Sequence, residues 1–133
     1  MTDPTGGTNL DPDADNLSAP LDLSEMTRSV KGNKEILQKL ISHLLEIYPE
    51  RLSVIKQAIK QKKYALLRQQ SHTLKGAVLN FKAQRAGDLA YKLEKMGEDS
   101  NLDKAKETFY DLEEEMERIK QYLAEAGWEK TVS

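Results

Sequence analysis

His72 stands in the stretch Ser71-His72-Thr73-Leu74-Lys75-Gly76, where its residue type and its neighbours suit the transfer of a phosphoryl group. At about 100° per residue, its imidazole points away from the apolar side of the predicted helix, which indicates a presented side chain. Lys75, one turn on, can place an ammonium beside a transferred phosphoryl group. Gly76 costs about 1 kcal/mol relative to alanine in mid-helix, which indicates that clearance for a bulky partner matters there. Arg68, one turn before, adds positive charge.

A carboxylate joins this cluster if the helix of His72 and the next helix form an antiparallel hairpin that turns near Ala83. His72 is eleven residues before Ala83 and Glu94 is eleven residues after it, so the two side chains should face each other. Glu94 can then accept a hydrogen bond from Nδ1–H of the imidazole, which leaves Nε2 as the nucleophile. The helical wheel opposes this arrangement, because it places His72 nearly opposite the core, farther round than such a hydrogen bond favours.

The sequence pattern predicts that the elements that position these residues, from Leu21 onward, are all helices. A short helix is predicted around Leu23–Val30, and Asn33 is expected to cap the next helix, which Pro49 breaks or kinks. Further helices are predicted over about 63–81, over 84–96 with Gly97 as the stop, and from about Asn101 to a stop at Gly127. The apolar face of the second helix is predicted to consist of Ile36, Leu37, Leu40, Ile41, Leu44 and Ile47. Short connections make neighbours antiparallel, so we expect an all-α fold, an up-and-down four-helix bundle with a short additional N-terminal helix.

The composition of the 133 residues fits one domain with two polar ends. Residues 1–20 contain three of the four prolines and almost no large apolar residue, so we expect a disordered leader or linker there. The bundle is predicted over 21–128 and a C-terminal tail over 129–133. The chain has no cysteine, which is compatible with a cytoplasmic protein, and no apolar run approaches the length of a membrane span.

The charge distribution argues against nucleic acid as a partner. Residues 1–22 hold five Asp and no basic residue, so the rest of the chain carries 20 basic against 17 acidic groups. A net charge of +3 on residues 23–133 is too mildly basic for nucleic-acid binding, and no basic face with stacking aromatic residues is evident. No glycine-rich ATP-binding sequence is present either, so we do not expect kinase activity.

The segment from Ser71 to Ala77, followed by Asn80-Phe81 and Leu93-Glu94, resembles a histidine-containing phosphotransfer (HPt) domain. The resemblance covers about 21–123, including the order and lengths of the helices. It implies that His72 is the phospho-acceptor at Nε2, that Lys75 is its charge partner and that Gly76 provides clearance. Glu94 stands where the family often has a Gln or Glu that is hydrogen-bonded to the imidazole.

The resemblance further implies a phosphorelay in which His72 exchanges its phosphoryl group with the aspartate of response-regulator receiver domains. An upstream histidine kinase or hybrid kinase would supply the phosphoryl group. No cofactor of the chain's own is expected, and Mg²⁺ should be held by the receiver partner.

The chain departs from the family pattern at two positions. Many members carry a small residue, often glycine, where this chain has Leu79, and glycine is frequent at the position of Lys82. Leu79 is expected on the presented face, where it is either a partner contact, with Arg68, or an ordinary exposed leucine.

Two other functions remain open at the level of sequence. The first is a non-catalytic helical adaptor or scaffold in which His72 is incidental, since exposed histidines on helices are common. The second is a module of a larger hybrid or chemotaxis-type sensor kinase, for which the leader would be the linker. The bundle can bury its own apolar faces, so a monomer is expected.

Overall fold

The computed structural model describes residues 19–125, and the regular secondary structure within that range is entirely α-helical. The helices are α1 (Leu23–Ser29), α2 (Lys34–Lys60), α3 (Tyr64–Leu79), α4 (Gln84–Asp99) and α5 (Ala105–Glu125). Each helix packs on the next, α5 returns to α2, and apolar side chains from all five form one core. The predicted all-α four-helix bundle with a short N-terminal helix is confirmed. Several predictions lie outside the described residues: the helix stop at Gly127, the boundary at residue 128, the tail over 129–133 and most of the leader over 1–20.

The start of α2 follows the capping chemistry that its sequence predicts. The side chain of Asn33 accepts a hydrogen bond of 3.1 Å from the backbone N–H of Ile36, which satisfies one of the unpaired donors of the first turn. Before it, Lys31 and Gly32 have φ values of 54° and 75°. This left-handed backbone separates α1 from α2, directly after Val30, where the sequence predicts that the first helix ends.

Pro49 lies inside α2 and does not end it, because α2 is one helix from Lys34 to Lys60. Its neighbours Tyr48 and Leu52 are both buried, so the apolar stripe continues through the proline. Pro49 itself is exposed, which places its missing hydrogen bond on the solvent side of the bundle. Packing of both halves against the core keeps the helix continuous.

The predicted apolar face of α2 is wrong at two positions. Ile36 and Leu40 are 46% and 38% exposed. The buried stripe instead runs through Leu37, Ile41, Leu44, Tyr48, Leu52, Ile55 and Ala58. Ile36 and Leu40 each precede a buried residue by one position, so each lies about 100° from that neighbour and at the edge of the stripe.

The predicted turn between α3 and α4 is confirmed. The backbone N–H of Ala83 donates to the carbonyl of Val78 over 3.1 Å, and α4 begins at Gln84. The N–H of Asp22 donates to the carbonyl of Phe81 over 3.1 Å, which ties the start of α1 to the same turn. The resulting antiparallel hairpin of α3 and α4 carries the candidate site.

Candidate functional site

The outward face of α3 presents His72 to solvent, with 65% of its side chain exposed. Arg68, one turn before it, and Gly76, one turn after it, are exposed on the same face. The opposite face is buried and consists of Leu67, Ser71, Leu74 and Val78. The helical period of α3 therefore separates a packed side from a presented side.

A hydrogen bond joins the imidazole of His72 to the carboxylate of Glu94 on α4. Nδ1 of His72 lies 3.1 Å from Oε2 of Glu94, the pair that the register of the hairpin brings face to face. A carboxylate has only acceptor atoms, so Nδ1 must be the donor in this bond. The neutral imidazole then carries its proton on Nδ1 and keeps an unshared electron pair on Nε2.

The close approach of α3 and α4 at Gly97 explains why this bond forms although the helical wheel places His72 far from the core. A Cβ at Gly97 would lie 2.7 Å from both the carbonyl oxygen of Tyr64 and the backbone nitrogen of Arg68. Gly97 is one turn beyond Glu94, and Arg68 is one turn before His72. The prediction that Gly97 ends the fourth helix is wrong, because α4 continues to Asp99 and Gly97 is buried inside it.

Lys75 also contacts Glu94, through the other carboxylate oxygen. Its Nζ lies 2.8 Å from Oε1, so the two groups form an ion pair. The same ammonium lies over the ring of Tyr91, 4.9 Å from the ring centroid. The sequence interpretation missed Tyr91, although its position three residues before Glu94 places it on the same face of α4.

The contacts around Glu94 favour its ionised form. Burial alone would raise the pKa of the Glu94 carboxyl, but the contacts with Lys75 and His72 and their positive charge hold this pKa below its ordinary value. A carboxylate in this position can neutralise positive charge on both neighbouring side chains.

This pKa shift predicts an acid-dependent loss of stability. A carboxyl whose pKa is lower in the folded than in the unfolded state stabilises the fold above its unfolded pKa of about 4.3. That stabilisation disappears as the pH falls through the folded-state pKa. We expect the free energy of unfolding of the wild type to fall relative to that of Glu94→Gln below about pH 4.3. Denaturant titrations of both proteins between neutral and acid pH measure this, and a difference that is independent of pH contradicts it.

The fold gives no packing reason for glycine at position 76. A Cβ built on Gly76 meets no atom within 4 Å, and its backbone is helical. Alanine would therefore fit without a clash and would favour the helix. The space above Gly76 adjoins the exposed imidazole of His72, so the missing side chain leaves room for a second molecule at the presented face.

Gly76→Ala is expected to raise the free energy of unfolding by about 1 kcal/mol, the difference in helix propensity between the two residues. If His72 carries a phosphoryl group, as the resemblance implies, the same change should slow its transfer, because the added methyl group occupies the space beside His72. Thermal unfolding and a transfer assay on the same preparation measure both effects. A more stable variant with unchanged transfer would show that clearance at this position is not needed.

Arg68 and Leu79 differ in how available they are to a partner. Arg68 is exposed, and within residues 19–125 no acidic side chain lies at ion-pair distance from it. Leu79 is half-buried, which corrects the expectation of an exposed leucine. A Cβ at Gly87 would lie 2.4 Å from Cδ2 of Leu79, so the leucine packs over the glycine on α4.

Lys82 has a φ of 57°, in the left-handed region where glycine has no steric cost. It occupies the turn between α3 and α4, on the C-terminal side of the presented face. At this position a lysine therefore carries a steric cost that a glycine would not.

None of the helices within residues 19–125 has a stretch long and apolar enough to cross a membrane. A comparison with protein-family models matches residues 39–122 to the model described as Hpt domain. The match covers more than half of the chain and includes every site residue described above. Searches of curated proteins and of solved structures found no significant match.

Proposed function

Because this chain belongs to the Hpt domain family, whose members carry phosphoryl groups on a histidine in phosphorelays, we propose that His72 is its phospho-acceptor. The observation that carries the proposal is the hydrogen bond of 3.1 Å between Nδ1 of His72 and Oε2 of Glu94. It supports the proposal because a proton on Nδ1 would leave the electron pair of Nε2 available as the nucleophile.

In the proposed reaction, the electron pair of Nε2 attacks the phosphorus of an aspartyl phosphate on a receiver domain. The N–P bond forms, the P–O bond to the aspartate breaks, and the aspartate leaves as a carboxylate. The proton of the imidazole stays on Nδ1, so the phosphorylated ring is cationic and the ionised Glu94 neutralises it. Transfer in the other direction reverses these steps.

The remaining site residues act by position and charge. Phosphoryl transfer needs attacking and leaving atoms nearly in line, and most of its catalysis is positioning and neutralisation of charge. Lys75 neutralises charge on the phosphoryl group, Gly76 admits the receiver, and Arg68 and Leu79 contact it. The receiver supplies the aspartate and Mg²⁺.

In this proposal the protein is a phosphoryl carrier without kinase activity, and a separate histidine kinase or hybrid kinase supplies the phosphoryl group. We propose a cytoplasmic monomer that acts either alone or as the phosphotransfer module of a larger sensor kinase. Both arrangements use the same chemistry at His72.

A helical adaptor in which His72 is incidental is the competing function, and the contacts of both His72 and Lys75 with Glu94 favour the carrier over it. One experiment separates the two. Receiver domains charged with acetyl phosphate are mixed with the protein, and both binding and phosphoryl transfer are measured. A carrier takes up the phosphoryl group, whereas an adaptor binds a receiver without becoming labelled.

A further inference from the structure

Tyr91 is a half-exposed aromatic residue that packs against the site from α4. The residue is 48% exposed, yet its ring lies under the ammonium of Lys75, 4.9 Å from Nζ to the ring centroid. Tyr110 on α5 is 58% exposed and also lies beside charged side chains, but these are the acidic Glu113 and Glu114. Of these two exposed tyrosines, Tyr91 contacts a positively charged side chain of the site and Tyr110 does not.

The ammonium of Lys75 is held between two side chains of α4. Glu94 contacts it through Oε1 at 2.8 Å and Tyr91 contacts it through its ring, and the side chain of Lys75 is only 22% exposed. A lysine on an exposed helix face otherwise samples many rotamers, because its four-carbon chain is flexible. These two contacts restrict Nζ to the side of α3 on which Glu94 meets His72.

The two contacts differ in what happens when a phosphoryl group arrives on His72. The carboxylate of Glu94 competes with the phosphoryl oxygens for the lysine, because both carry negative charge. The ring of Tyr91 is uncharged and attracts the ammonium only through its electron-rich face. The ring can thus keep Nζ close to the imidazole without holding it as tightly as a second carboxylate would.

We propose that Tyr91 is a positioning residue for phosphoryl transfer, which keeps the ammonium of Lys75 beside His72 before the phosphoryl group arrives. This inference rests on the proposed function of His72. It assigns Tyr91 no contact with the reacting atoms, and its effect on the rate passes through Lys75.

The test compares transfer rates from an acetyl-phosphate-charged receiver to the wild type, Tyr91→Leu and Tyr91→Phe, with Tyr110→Leu as the matched control. Leucine removes the ring, phenylalanine removes only the hydroxyl, and the control removes an exposed tyrosine away from the site. Tyr91→Leu should lower the maximal rate about two- to fivefold, the range of an exposed cation–π contact. Tyr91→Phe and Tyr110→Leu should transfer at the wild-type rate, and the receiver concentration for half-maximal rate should not change.

A double-substitution cycle separates positioning from a direct partner contact. In a Lys75→Ala background, Tyr91→Leu should have no further effect on the maximal rate. The proposal is overturned if Tyr91→Leu lowers the maximal rate by the same factor in the Lys75→Ala background as in the wild type. It is also overturned if Tyr91→Phe lowers the maximal rate as much as Tyr91→Leu does. Tyr91→Leu that transfers at the wild-type rate overturns it as well, but leaves the function of His72 intact. A wild type that takes up no label refutes the function of His72 and the positioning role together.

A spectroscopic measurement tests the placement of Lys75 without any receiver. The ε-methylene protons of a lysine held over an aromatic ring are shifted upfield by the ring current. We expect this shift for Lys75 in the unphosphorylated wild type and in Tyr91→Phe, and its loss in Tyr91→Leu. Unshifted protons in the wild type overturn the proposal.

Discussion

Substitution of His72 by glutamine is expected to abolish phosphoryl labelling completely while the helical bundle stays folded. The amide nitrogen of glutamine is not a nucleophile, since its electron pair is delocalised into the carbonyl group. The side chain of His72 is 65% exposed, so its replacement opens no cavity in the core. An amide N–H of glutamine can still donate to Glu94, so that carboxylate keeps a partner.

The assay uses acetyl-phosphate-charged receiver domains and detects the label under non-acidic conditions, because the P–N bond is labile in acid. His43→Gln is the matched control, since His43 is the other histidine of the chain and is also exposed. The control should be labelled like the wild type, and both variants should keep the helical circular dichroism of the wild type. Labelling of His72→Gln at the wild-type level would end the proposal that His72 is the phospho-acceptor.

Gly97→Ala is expected to destabilise the protein and to slow transfer, although alanine is the better helix former. The new Cβ would lie 2.7 Å from backbone atoms of Tyr64 and Arg68, which cannot move without α3 itself moving. Overpacking of this kind costs about 1–3 kcal/mol, against about 1 kcal/mol gained in helix propensity. The net loss should be up to about 2 kcal/mol, with a melting temperature lower by roughly 4 °C per kcal/mol.

The effect on transfer follows from the position of Gly97 one turn beyond Glu94. If α4 moves away from α3, Oε2 of Glu94 moves away from Nδ1 of His72. Gly76→Ala is the matched variant, because the same chemical change there meets no atom within 4 Å. Thermal unfolding of the two variants should therefore shift in opposite directions. A Gly97→Ala protein that is more stable than the wild type would contradict the close approach of the two helices.

The parts of the site that depend on spacing along the chain could be predicted from the sequence. The helical period of α3 sets which side chains share the face of His72. The short turn at Ala83 fixes the register of α3 against α4, and this places Glu94 level with His72. The cap at Asn33 was predictable for the same reason, since its hydrogen bond is local.

The parts that depend on how closely helices approach could not be predicted. A glycine after an apolar stretch commonly ends a helix, so Gly97 could be recognised as a contact residue only once α3 was seen against it. The cation–π contact of Tyr91 depends on the rotamers of two side chains on different helices. Leu79 appeared exposed on the wheel because its burial depends on Gly87 of the neighbouring helix.

The edges of the buried stripe of α2 could not be predicted from the sequence pattern either. Ile36 and Leu40 repeat at helical spacing, as the buried residues Leu37 and Ile41 do. Periodicity places a face only to within a few tens of degrees, and the neighbouring helices decide which edge of it is covered.

The most direct test of the central claim is a long-range ¹H–¹⁵N correlation spectrum of the protein with ¹⁵N-labelled histidine, recorded after phosphorylation by a charged receiver. This spectrum identifies both the histidine and the ring nitrogen that carry the phosphoryl group. We predict that the phosphoryl group is on Nε2 of His72, with a proton on Nδ1, while the signals of His43 do not change. A phosphoryl group on Nδ1 of His72, on His43 or on a residue other than histidine would contradict the role assigned to His72 and Glu94.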